Sequence, residues 1–128
     1  MSNVFNAVAS QYVPYLQDLN DEGIRRMILN TDRYRNDKST PESREISFQN
    51  LRAVFVIESG RTYYKIVREQ RNGGRSVHSF VVKEGVKCKF PAGTILKAET
   101  WSKPALNFAR GNVLTATLPK GDTCSYGL

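Results

Sequence analysis

The triplet Asn72-Gly73-Gly74 constrains this chain more than any other feature. Asn and Gly accept the positive φ angles of a tight turn at low cost. The flanking segments, Thr62 to Glu69 and Ser76 to Lys83, are rich in β-branched and aromatic residues. A hairpin here commits the second half of the chain to antiparallel sheet. Taken as a two-residue turn, it pairs Val67 with His78, Lys65 with Phe80 and Tyr63 with Val82. On the opposite face it sets Tyr64 near Val81 and Ile66 near Ser79. Tyr63 and Tyr64 therefore point to opposite sides, one to a core and one towards solvent.

The remaining pattern extends that sheet. Ala53 to Ile57 is a continuous apolar run that suits a strand covered on both faces. Ile46 and Phe48 alternate with polar residues, which carries the strand reading back to Glu45. Thr94 to Trp101 follows the Pro91-Ala92-Gly93 turn, and Asn112 to Leu118 is the last strand before a turn over Pro119 to Asp122. The first third is helical instead. Val4, Phe5, Val8 and Tyr12 recur at a 3.6-residue period, and Pro14 is expected to end or kink that run. A second helix is expected from Asn20, capped by Asn20 or Asp21, with Ile24, Met27 and Ile28 as its core stripe. Residues 36–44 read as a polar loop containing Pro41. The expectation is one α+β domain over 1–128, with a helical part at 1–35, a loop at 36–44 and a β part at 45–128. Its N-terminal helices should pack on a curved antiparallel β-meander, or small open barrel, of roughly five to six strands.

Charge is unevenly placed. Residues 1–50 hold six Lys/Arg and seven Asp/Glu, whereas residues 51–128 hold thirteen and five, for a net charge of +7. A basic C-terminal part suits a polyanionic partner, and the plainer reading is solubility. The chain has no apolar run long enough to span a membrane and no basic-then-apolar start, so a cytoplasmic protein with no membrane partner is expected. Cys88 and Cys124 read as two small, partly buried thiols, with a single bridge between them as the alternative that spacing does not decide. With His78 they are too few and too far apart for a zinc site, and no phosphate-cradling glycine motif is present, so no metal or cofactor is expected.

Aromatic residues interleave with these cations, as in proteins that stack bases on rings and track phosphates with Lys and Arg. The candidate nucleic-acid-binding set is Tyr63, Arg68, Arg71, Arg75, His78, Lys97, Trp101, Lys103 and Arg110. Arg71, Arg75 and Arg110 sit in or beside glycine turns, where backbone N–H groups can approach a phosphate. The competing reading puts Trp101 and Phe108 in the core, and for these two rings it ranks first. His78 has Glu69, Glu99, Ser76 or Ser79 as candidate partners, but no spacing fixes a triad. A structural histidine is the expectation, and an enzyme, for instance a nuclease using His78 with a lysine, ranks third behind nucleic-acid binding and a structural or interaction role.

Three strings recur as a pattern: Arg75-Ser76-Val77-His78-x-Phe80-Val81, Gly93-Thr-x-Leu96-Lys97-Ala98-x-x-Trp101-x-x-Pro104-Ala105, and Ala109-Arg110-Gly111-Asn112. It resembles a pattern in small, functionally uncharacterised bacteriophage-encoded proteins and covers about a third of the chain. That resemblance implies a viral accessory protein in the host cytoplasm or the virion. Two functions fit it. One is a small nucleic-acid-binding accessory protein, directed at single strands or RNA. The other is a structural or host-interaction protein, a virion component or inhibitor, acting through an edge strand at Ser76–Lys83 or Thr94–Trp101 and through homo-oligomerisation.

Overall fold

The computed structural model describes residues 3–35, 40–120 and 128. Cys124, the 36–39 part of the expected loop and the 121–122 part of the last expected turn lie outside them. A helical rod runs through α1 (Asn3–Ala7), a π-helical turn (Val8–Tyr12) and α2 (Val13–Arg35). The chain thus neither stops at Pro14 nor restarts at Asn20. The π turn explains why. The Val13 N–H reaches back to the Val8 carbonyl. This widens the turn carrying the Ser10 carbonyl, the group that a proline ring at position 14 would strike in a regular α-helix. Val4, Val8, Tyr12 and Leu16 form the fully buried stripe of the rod. Farther along, Ile24 is buried and Ile28 half-buried, but Met27 is exposed, so the stripe fades.

Asn20 and Asp21 are not caps. They lie inside α2 and fasten it to the next part of the chain. Asp21 accepts two hydrogen bonds from the Arg52 guanidinium, at 3.1 and 3.0 Å. Asn20 Oδ1 accepts from the Ala53 N–H at 2.9 Å. Gln17 donates to the Ala53 carbonyl at 2.8 Å and accepts from the Phe55 N–H at 3.3 Å. These groups belong to the outer edge of β1 (Ala53–Ser59), which is the first strand in the sheet order. Side chains of α2 therefore do for this edge what a neighbouring strand would do.

Residues 41–51 form a helix, α3 (Pro41–Leu51), where the sequence suggests the end of a loop and the start of a strand. The local chemistry is that of a helix start. Thr40 Oγ1 accepts from the Ser43 N–H at 3.1 Å, Pro41 takes the first helical position and Glu42 lies in the positive first turn. The alternation of Ile46 and Phe48 is accidental to the fold. Phe48 is the one buried side chain of α3, covered by the Arg25 guanidinium at 3.6 Å and by Arg52 at 5.5 Å, while Ile46 faces out.

The sheet is an open antiparallel meander of five strands in the order β1-β2-β3-β4-β5, with β2 Tyr63–Gln70, β3 Arg75–Val82, β4 Thr94–Lys97 and β5 Gly111–Asn112. Its inner face supplies Phe55, Tyr64, Ile66, Val81 and Ile95 to a core shared with Val4, Val8, Tyr12 and Leu16 of the helical rod. The outer face buries Phe80, Val82 and Leu96 beneath Val86, Cys88 and Phe90 from the segment between β3 and β4. Gly93 ends that segment with φ +86, and a Cβ there would lie 2.7 Å from Asn112 Oδ1 and 2.9 Å from Leu114 Cγ. Only glycine fits this approach.

The hairpin register holds a compensation. The Gln70 N–H donates to the Gly74 carbonyl, and the Gly73 N–H donates to that of Gln70. Gly73 has φ +91. The loop is thus three residues, Arg71 to Gly73, which shifts the pairing by one residue from a two-residue turn. Val67 accordingly pairs with Val77, not His78. A β-bulge at His78 then restores the phase, so Ile66–Ser79, Lys65–Phe80, Tyr64–Val81 and Tyr63–Val82 are the pairs expected from the sequence. Tyr64 is core and Tyr63 is half-exposed on the outer face. β3 and β4 are both interior strands, so neither Ser76–Lys83 nor Thr94–Trp101 is the free edge that the strand-addition reading requires.

Candidate nucleic-acid interface

The outer face of the sheet carries the site. Odd-numbered residues of β2 point outward here, which sets Tyr63 and Lys65 side by side along the strand. From the other side comes a short finger. Ala98 and Pro104 form a bridge, and the Glu99 and Thr100 N–H groups donate to the Lys103 carbonyl at 2.9 and 3.0 Å. The Thr100 hydroxyl accepts from the N–H groups of Ser102 and Lys103, at 3.2 and 3.1 Å, and closes the tip. Trp101 is carried on that tip.

The indole lies over the sheet and not in it. Lys65 Nζ is 4.3 Å from the ring centroid and the Arg75 guanidinium 5.5 Å. Trp101 is nevertheless 45% exposed. Cations thus back the ring from the sheet side, while much of its surface stays open to solvent. Arg75 is itself fixed: Glu69 accepts from its Nε at 2.8 Å and Glu58 from its terminal nitrogen. Glu58, and then Glu69, hold its guanidinium still more firmly protonated than an ordinary arginine. Its charge is therefore balanced on the spot by two carboxylates.

Beside the indole runs a groove of about 360 Å³, lined by Glu58, Arg61, Tyr63, Lys65, Phe80 and Ser102. Tyr63 leans inward, its hydroxyl 3.8 Å from Cys88 Sγ. Partial burial, followed by that thiol, pushes its phenol above the ordinary 10.0. Among the described residues Arg61, Lys65 and Lys103 have no carboxylate within salt-bridge distance. Glu58, already paired with Arg75, stands across from Lys65 in the sheet register.

A family model matches residues 4–123 of the chain. The protein belongs to the family of unknown function DUF7717. Among curated proteins and solved structures, none matches it. The matched span of this DUF7717 member includes the whole finger, β2 and the groove.

Of the residues singled out from sequence, Tyr63, Arg75 and Trp101 meet on this face, and Lys103 sits on the same finger. Arg71 lies at the exposed hairpin tip. Lys97 pairs with Ser79 and so belongs to the helix-bearing side. Arg68 is buried on that side, opposite Phe55. Arg110 lies past β4, under Phe108. Trp101 and Phe108 are on the surface, not in the core, because each is carried on an excursion that leaves the ladder. Lys65 was not among the candidate residues. The signal for it was the hairpin register, which places it on the outer face next to Tyr63.

His78 is 1% exposed and belongs to the core. The bulge turns it and Ser79 towards the helices together. Ser79 Oγ is 2.9 Å from His78 Nδ1 and 2.7 Å from the Tyr12 hydroxyl. The imidazole meets the rings of Phe55 and Tyr12 edge-on, with centroids at 5.7 and 6.2 Å. Serine, histidine and tyrosine in contact are the ingredients of nucleophilic catalysis, but these three are sealed from substrate. They are a buried hydrogen-bond network, and His78 is not part of the interface.

Proposed function

We propose that this protein binds single-stranded nucleic acid, DNA or RNA, with little sequence preference, using Trp101 as a stacking plate. The half-open indole held over Lys65 carries this reading. A base stacks on the open side of the ring, and such a contact is worth about 1–3 kcal/mol for any base. Arg61, Lys65 and Lys103 take the neighbouring phosphates. Arg75 positions the plate and adds little net charge. The groove beside Lys65 has room for the next sugar or base. The excess of Lys and Arg in residues 51–128 supplies the attractive field. The resemblance of the 75–112 stretch to phage-encoded proteins supports an accessory role in a viral setting, in the host cytoplasm.

The chain has a single tryptophan, so its emission reports on the site alone. Titration with oligothymidylate and oligouridylate at low salt is expected to quench that emission. Trp101→Ala, which has no such emission and is read instead by the anisotropy of a fluorescein-labelled oligonucleotide, should weaken binding about five- to hundred-fold, as loss of one stacked base implies, with circular dichroism unchanged. Absence of binding by the wild-type chain at low ionic strength would sink the proposal.

A further inference from the structure

We infer that Phe108, backed by Arg110, is a second stacking plate, so that the ligand is a single-stranded tract held at two bases and not an isolated nucleotide or a duplex. This rests on the reading of Trp101 above and extends it along the same strand.

After the finger, the chain runs back beside β4. The Ala105 N–H donates to the Lys97 carbonyl at 2.8 Å, and the ladder resumes where the Arg110 N–H donates to that of Ile95, also at 2.8 Å. Between these bonds the outer chain advances from 105 to 110 while β4 moves only from 97 to 95. The surplus is thrown outward at Leu106 to Ala109. Lys89 Nζ donates to the Leu106 carbonyl at 3.1 Å, which ties this excursion to the segment covering the outer face.

Phe108, on the excursion, is 51% exposed, with the Arg110 guanidinium 4.0 Å from its centroid. Arg110 Nε is buried and, among the described residues, has no hydrogen-bond partner. Among the described residues no carboxylate lies within salt-bridge distance of Arg110, so no ion pair draws the guanidinium to the ring. The construction repeats that of Trp101 and Lys65: a half-open ring thrown out from the ladder, with a cation behind it. Phe108 lies beside Ile95 to Lys97 on the far side of β4, and Trp101 lies over Lys65, which stands two strands across from Leu96 through Phe80. At about 4.8 Å between neighbouring strands, the plates lie within roughly 20 Å of each other. Single-strand sites of about 4–16 nucleotides cover such a span. A duplex keeps its bases stacked on one another and has none to offer two plates.

The test compares wild type with Phe108→Leu, using a fluorescein-labelled thymidine dodecamer and a thymidine dinucleotide. Phe108→Leu is expected to bind the dodecamer about five- to hundred-fold more weakly and the dinucleotide as wild type does, while saturating dodecamer still quenches Trp101. Arg110→Gln, which keeps the ring, should show part of the same loss. Equal dodecamer affinity with quenching intact would overturn the second plate and leave the Trp101 reading standing. An equal loss on both ligands would place Phe108 in the Trp101 site and also overturn it. Failure of wild type to bind either ligand would remove both proposals together.

Discussion

At the scale of single residues, two backbone irregularities meet at one buried contact. The π turn ends on Tyr12, and the β-bulge falls on His78. Between them sits Ser79, whose hydroxyl is in reach of both polar side chains. A regular helix and an unbulged strand would aim these groups differently, and a buried hydroxyl left without a partner costs more than a typical hydrogen bond yields. The irregularities are therefore tied to the satisfaction of a polar core. Tyr12→Phe keeps the ring packing and removes only the hydroxyl, leaving Ser79 with one partner fewer. It is expected to lower unfolding stability by about 1–2 kcal/mol, read as a shift in the urea midpoint at constant slope. A loss below about 0.5 kcal/mol would show that the network is incidental to the fold.

At the scale of elements, the question is what stops β1 from recruiting another strand. Gln17 and Asn20 answer it by occupying the backbone groups of Ala53 and Phe55. Asn20→Ala leaves the buried Ala53 N–H unpaired. It is expected to cost about 1–3 kcal/mol and to speed amide exchange at Ala53 relative to strand β3. Unchanged protection at Ala53 would mean that another group seals the edge. This latch also shows where sequence reading stops. Asn20 and Asp21 carry the residue types of a helix start, and only the position of Arg52 and Ala53 in space shows that they serve a strand instead. In α3, the Thr40-Pro41-Glu42 start was present in the chain but yielded to the alternation of Ile46 and Phe48, because one buried aromatic gives too little periodicity to arbitrate. The β2–β3 pairing was legible for a reason the sequence does not show: the extra loop residue and the bulge at His78 shift the register in opposite senses. The opposite facing of Tyr63 and Tyr64 was legible because hairpin register is local. The exposure of Trp101 and Phe108 was not, because it depends on how far the chain leaves the β4 ladder.

At the scale of the whole molecule, the net charge of +7 says less than its distribution after pairing. Arg52 is consumed by Asp21, and Arg75 by Glu58 and Glu69. Neither has charge to spare for a phosphate. Among the described residues Arg61, Lys65 and Lys103 have no such ion pair: Lys65 lies under the exposed indole, Arg61 lines the groove beside it and Lys103 is on the finger that carries it. If single-stranded nucleic acid follows this path, each phosphate neutralised contributes about −0.7 to the slope of log affinity against log salt. Three such contacts give a slope of about −2 for the wild type. Lys103→Gln should then make the slope shallower by about 0.7 and weaken binding equally for thymidine and uridine oligomers. Arg75→Gln separates charge from position. It removes a formal charge of the same sign, yet frees Glu58 and Glu69, so affinity falls through loss of the Lys65–Trp101 arrangement and through the exposed carboxylates. A repulsive carboxylate does not take up the counterion role of a phosphate contact, so the slope set by Arg61, Lys65 and Lys103 should stay close to wild type. The measurement is a salt titration of each variant on one oligonucleotide. A slope that drops as far for Arg75→Gln as for Lys103→Gln would place Arg75 on the phosphates after all, and would mean that the Glu58 and Glu69 pairs open when the strand binds.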